Sequence, residues 1–123
     1  MNVRVVADDL IWRSRLVAAV ERAGATPVAA NGAADFAIVD LNGRAYDGVG
    51  EIDSAVRGGA TVIAVAQHGD LETRKRALGA GARRVFSYQK MFTDGPQVVV
   101  DLIAGRFAAP STDPASDPVE THA

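Results

Sequence analysis

Three carboxylates stand where apolar runs of the sequence end. Asp40 sits near the end of Asp35-Phe36-Ala37-Ile38-Val39-Asp40-Leu41, and Asp8 and Asp9 follow the β-branched residues Val3, Val5 and Val6. A continuous apolar run of this length reads as a strand buried on both faces in a parallel sheet. Such sheets bind their ligands outside the carboxyl ends of the strands, so Asp40 and Asp8 are candidates for meeting a ligand there. Asp9 is better suited to capping a helix that starts beside it. His68 falls in the polar loop Gln67-His68-Gly69-Asp70 at the same edge, where an imidazole could serve as acid, base or ligand. No second histidine, cysteine or acid pair accompanies it, and a solvated loop residue is the simpler reading. His122 carries no signal.

Other chemistries lack their residues. The 123-residue chain has no cysteine, which rules out disulfides, thiolate metal sites and cysteine nucleophiles. Gly48, Gly50, Gly58 and Gly59 form neither a P-loop nor a G-x-G-x-x-G turn after the first strand, so a phosphate cradle is missing. There is no G-x-S-x-G elbow and no H-E-x-x-H pair. With 48% apolar and 23% charged residues, the composition is that of an ordinary globular domain. Net charge is −2, and because the last sixteen residues hold Asp113, Asp117 and Glu120 and no base, the rest carries about +1. That is too little positive field to grip nucleic acid. No stretch approaches the roughly eighteen uncharged residues of a membrane span, so no membrane role and a cytoplasmic location are expected.

The elements that must position these residues follow from periodicity. A strand over Val3–Val6 leads into a helix from Leu10 to Ala23, with Asp9 at its start and Gly24 at its end. Pro27 to Ala30 is a weak strand that belongs at an edge, since proline cannot donate to a ladder. The central strand over 35–41 follows after about five residues, fewer than a parallel crossover needs, so the helix between these two strands is expected to be reduced or absent. A short helix bearing Ile52, Ala55 and Val56 ends at Gly58-Gly59. Thr61 to Ala66 is a buried strand, and Asp70 caps a helix bearing Leu71, Arg74, Lys75 and Leu78. Arg84 to Tyr88 is the fifth strand, and Asp94 and Pro96 open a last helix that ends at Gly105. This alternation predicts an α/β, flavodoxin-like, doubly wound sheet of five parallel strands in the order 2-1-3-4-5. Residues 1–107 are expected to form that domain, and 108–123 an acidic tail rich in Pro, Ser and Thr that stays disordered.

Four stretches give the chain a family likeness: Val-Val-Ala-Asp-Asp at 5–9, Asp-Phe-Ala-Ile-Val-Asp-Leu at 35–41, Val-Ile-Ala-Val-Ala at 62–66, and Gly-Ala-Arg-Arg-Val-Phe-Ser-Tyr at 81–88. In this order and spacing they resemble the receiver domains of response regulators in two-component signalling. The resemblance implies that Asp40 is the phospho-acceptor and that Mg²⁺ is held by Asp8 and Asp40, with Asn42 beside them. A carboxylate nucleophile needs such a cation to offset repulsion from the phosphoryl oxygens. The likeness breaks at the pocket, however. The first acid of the metal pair is matched by Ala7, the hydroxyl residue ending the fourth strand by Ala66, and the aromatic switch residue by Val85. The lysine that follows the fifth strand is matched by Tyr88, with Lys90 two positions away.

The expectation is therefore a stand-alone pseudo-receiver that requires no cofactor, has no enzymatic turnover, and acts by contact with a signalling protein or as a homodimer. The basic cluster Arg74, Lys75, Arg76, Arg83 and Arg84 is the expected contact face, against the simpler reading of a solvated surface. Trp12 is expected to pack in the core or, if partly exposed, to anchor a contact. The alternative is a working response regulator, phosphorylated on Asp40 with Mg²⁺ and catalysing at most its own phosphorylation and dephosphorylation. A third reading is a flavodoxin-like binder of a small molecule or nucleotide at the same edge.

Overall fold

A computed structural model of the chain describes residues 1–29, 31–107 and 109. The chain alternates β1 (Asn2–Val6), α1 (Leu10–Arg22), β2 (Thr26–Val28), β3 (Phe36–Asp40), α2 (Gly48–Arg57), β4 (Thr61–Ala66), α3 (Leu71–Gly79), β5 (Arg84–Ser87) and α4 (Tyr88–Ile103). All strand pairs are parallel, in the order β2-β1-β3-β4-β5. Helices cover both faces, and side-chain alternation along each strand divides the core into two layers. Val3, Val5, Ile38, Ile63, Val65 and Phe86 pack with Leu16 of α1 and Val99 and Leu102 of α4. Val6, Ala37, Val39, Val62, Ala64 and Val85 pack with Ile52 of α2 and Ala77 of α3.

Local signals place the helix starts. Asp9 Oδ1 accepts from Ile11 and Trp12 N–H at 2.9 and 3.1 Å, and Asp70 Oδ1 from Thr73 N–H at 3.1 Å. Gly24, at φ 85°, takes the left-handed conformation that ends α1 at little steric cost. Among the described residues no helix joins β2 to β3. Arg4 lies on the face of β1 opposite to Val3 and Val5, and its guanidinium Nε donates to Gly32 O in that connection at 2.8 Å. A partly buried charge is tolerated in this strand because, among the described residues, no helix between β2 and β3 seals the face beside it.

Four expectations need correction or restriction. The second strand is Thr26–Val28 rather than Pro27–Ala30, pairing Pro27 with Val3 at the edge of the sheet, and Ala30 lies outside the described residues. The last helix begins at Tyr88, not after Asp94, because Ser87 Oγ accepts from Lys90 N–H at 3.0 Å and caps it. Asp94 then breaks the helix (φ −128°, ψ 25°), ahead of Pro96, which has no N–H to return to the Phe92 carbonyl. The tail expected over 108–123 lies, apart from Ala109, outside the described residues.

Arg74 is the fourth correction: it is not a surface residue. Its side chain is fully buried beneath α3, and Nη2 donates to Val85 O at 2.7 Å. The position faces inward on α3, and the long apolar stem fills the space while the guanidinium is hydrogen-bonded. Arg74→Ala should destabilise the fold by about 2 kcal/mol or more, through lost packing and a lost buried bond. Arg76→Ala on the exposed side of α3 should change stability by less than about 0.5 kcal/mol. Chemical denaturation of the two variants checks the contrast, and equal effects would contradict the burial of Arg74.

Candidate functional site

The carboxyl ends of β1, β3 and β5 bring Asp8, Asp40 and Tyr88 to one edge of the sheet. Asp40, the last residue of β3, is only 2% exposed. Its Oδ1 accepts the backbone N–H of Asn42 at 3.0 Å and the hydroxyl of Tyr88 in a short hydrogen bond. The Tyr88 ring leans on Trp12, with centroids 4.8 Å apart and planes tilted by 56°. Burial pushes the Tyr88 phenol well above its ordinary range, and the Asp40 carboxylate adds to that shift, so the hydroxyl remains a donor.

Asp8 serves the neighbouring loop. Its Oδ2 accepts the N–H groups of Ala45 and Arg44 at 2.7 and 2.8 Å, tying the β3–α2 connection to the β1–α1 turn. Those two amides, Ala45 first, hold its carboxyl below the usual aspartate range. Tyr46 closes the loop from the other side. Its hydroxyl is within reach of Asp40 O at 2.7 Å and Val6 O at 3.1 Å, bridging the ends of β3 and β1. Burial, then the charge of Asp40, pushes this phenol up as well. The ring lies so close over the turn that a Cβ at Gly43 would sit 2.1 Å from Tyr46 Cζ, so any larger residue there must displace the ring.

The remaining expected residues divide. Lys90 does not reach Asp40: its ammonium pairs with Asp94 Oδ2 at 2.5 Å along α4, and its side chain is only 7% exposed. Ala66 is buried in the layer beneath α2 and α3 and offers no hydroxyl. Val85 is buried in the same layer. Asn42 contributes its backbone N–H to Asp40, and its side chain is exposed at the rim. His68 is exposed in the β4–α3 loop. Asp9 lies on the rim as the α1 cap, and Trp12 is half-buried rather than fully in the core. Of the basic cluster, Lys75 and Arg76 are exposed, while Arg83 and Arg84 are half-buried. Arg84 lies over the Phe107 ring at 5.5 Å and donates to Ala109 O at 2.7 Å.

An open cavity of about 430 Å³ remains above Asp40, lined by Asp9, Trp12, Asn42, Arg44, Gln67 and Tyr88. The residues at this edge do not fit a Mg²⁺ ion as they stand. Asp8 commits Oδ2 to two amides, Asp40 commits Oδ1 to a phenol and an amide, and no group of three acid or histidine side chains could hold a metal among the described residues. Tyr46 and the role of Tyr88 were not read from the sequence. The one available signal was an aromatic hydroxyl shortly after each of β3 and β5.

Because the bonded Asp8 carboxylate is held below its unfolded value, its anchoring of the loop is present above that value. It is lost as pH falls through the lower, folded one. The amide resonances of Arg44 and Ala45 should therefore titrate together, with a midpoint below the unperturbed aspartate value of about 3.9. A midpoint at or above that value in an NMR pH series would contradict the anchoring.

No protein-family model matches the chain, and no curated protein is similar to it in sequence. Solved structures do match. A CheY-like response regulator receiver domain protein from Methanospirillum hungatei JF-1 superposes with a TM-score of 0.68 at 18% identity, covering 87% of this chain and 93% of that one. The Francisella response regulator 1452 receiver domain gives 0.69 at 14% identity, over 85% of this chain and 98% of the other. A response regulator receiver domain from Rhodospirillum rubrum gives 0.69 at 15% identity, over 85% and 94%. The strand order, the helices on both faces and these superpositions together establish that the chain has the receiver fold, a CheY-like, flavodoxin-like α/β sheet.

Proposed function

We propose that the chain is a pseudo-receiver: a signalling module that keeps the receiver scaffold, no longer takes a phosphoryl group into its pocket, and acts through its outer faces on a protein partner. One observation carries the reading. The carboxylate at the phospho-acceptor position is occupied by Tyr88, which stands where the resemblance expects a lysine. A lysine there would present a cation to an incoming phosphoryl group. A protonated phenol presents a neutral donor and a ring that fills the space. Ala66 cannot follow a phosphoryl group inward, and Lys90 is held by Asp94 instead. With no charge relay at this edge, the scaffold is left to act by contact. Lys75 and Arg76, exposed on α3, offer a basic face suited to an acidic partner or to a second copy of the chain with a complementary patch. Among the described residues no helix is long and apolar enough to cross a membrane.

The rival reading, a working phospho-acceptor, is favoured by the survival of Asp40 at the end of β3 with Asp8 in the adjoining turn. Incubation with acetyl phosphate and Mg²⁺, followed by intact mass measurement, separates the two. The expected outcome is an unchanged mass. A phosphate adduct that disappears in Asp40→Ala would replace the pseudo-receiver reading with the phospho-acceptor one.

A further inference from the structure

The bond that fills the pocket also ties it to the surface. Tyr88 touches Asp40 with its hydroxyl and Trp12 with its ring. The Arg15 guanidinium lies 5.2 Å from the centre of the Trp12 ring and 4.6 Å from that of Phe92. Phe92 is 62% exposed and Ile11, beside Trp12, is 64% exposed, so this end of α1 and α4 presents an apolar patch interleaved with arginine. The contacts form one unbroken run from a buried carboxylate to solvent-facing side chains on two helices.

Resting on the reading of the pocket given above, we propose that Tyr88 is a gate. With its phenol on Asp40 Oδ1 the patch is held in one arrangement, and any group that takes Oδ1 from the phenol rearranges Trp12, Arg15 and Phe92. The phenol has one hydroxyl proton, and Oδ1 already accepts from Asn42 as well. A donor that competes for that oxygen more strongly than the phenol would displace it. Tyr88 is half-buried at the mouth of an open cavity, so the released ring has room to turn outward. Trp12 then loses the ring it leans on, and Arg15 loses half of its aromatic seat. The pocket would in this way regulate a contact surface without a phosphoryl group.

Trp12 is the chain's single tryptophan, so its fluorescence reports this patch alone. Tyr88→Phe removes the hydroxyl and keeps the ring, and Asp40→Ala removes the acceptor. Each should shift Trp12 emission to the red and raise its acrylamide quenching, and the double variant should go no further than the larger single effect, because both changes break one bond. Circular dichroism monitors folding; should Asp40→Ala unfold, Tyr88→Phe alone decides. Unchanged emission and quenching in a folded Tyr88→Phe would overturn the gate, as would additive effects in the double variant. The acetyl phosphate experiment reads the pocket by mass and this one reads the patch by light, so either idea can fail without the other.

Discussion

A carboxylate buried at the end of a central strand must be supplied with hydrogen-bond donors by the protein, since water does not reach it freely. Asp40 receives them from a backbone amide two residues ahead and from a phenol on the far side of the sheet edge. The second bond sets the character of the site. It places a neutral aromatic where a charge relay would need a cation, and it orients Tyr88 so that its ring meets Trp12. The loop around it is held by the same edge: Asp8 ties the β3–α2 connection to the β1–α1 turn, and Tyr46 bridges the strand ends over Gly43, where a side chain would meet its ring.

The scaffold delivers these groups because a parallel doubly wound sheet aims all its carboxyl ends in one direction. The acids after β1, the end of β3 and the start of α4 converge without any of them being near in sequence. Among the described residues no helix joins β2 to β3, and Arg4, in the middle of β1, reaches that short connection and donates to Gly32 O.

Much of this was legible in the residues. Apolar runs bounded by acids located the central strands, the short spacing after Pro27 announced the missing helix, and Asp9 and Asp70 marked helix starts that the backbone amides bear out. What could not be read depended on side-chain direction. Tyr88 looked like the tail of a strand because Arg84 to Tyr88 carries strand-forming residues, yet Ser87 caps a helix and turns the phenol toward Asp40. Arg74 looked like one member of a basic run, and only its phase on α3 distinguishes it from Lys75 and Arg76. Lys90 could have served Asp40 from a shifted loop, but the helix that begins at Tyr88 carries it to Asp94. Charge type and spacing alone cannot separate such cases, because the deciding quantity is where a helix starts.

The account depends on a protonated Tyr88 hydroxyl held by a buried carboxylate. Tyr46 and Tyr88 are the only tyrosines in the chain, so an ultraviolet titration of the folded protein reads both at once. Burial first, and the Asp40 carboxylate second, should keep either phenol from ionising near the ordinary value of about 10, and Asp40→Ala should bring the Tyr88 transition down. A tyrosine that ionises near 10 in the folded native chain, with no response to Asp40→Ala, would contradict the account.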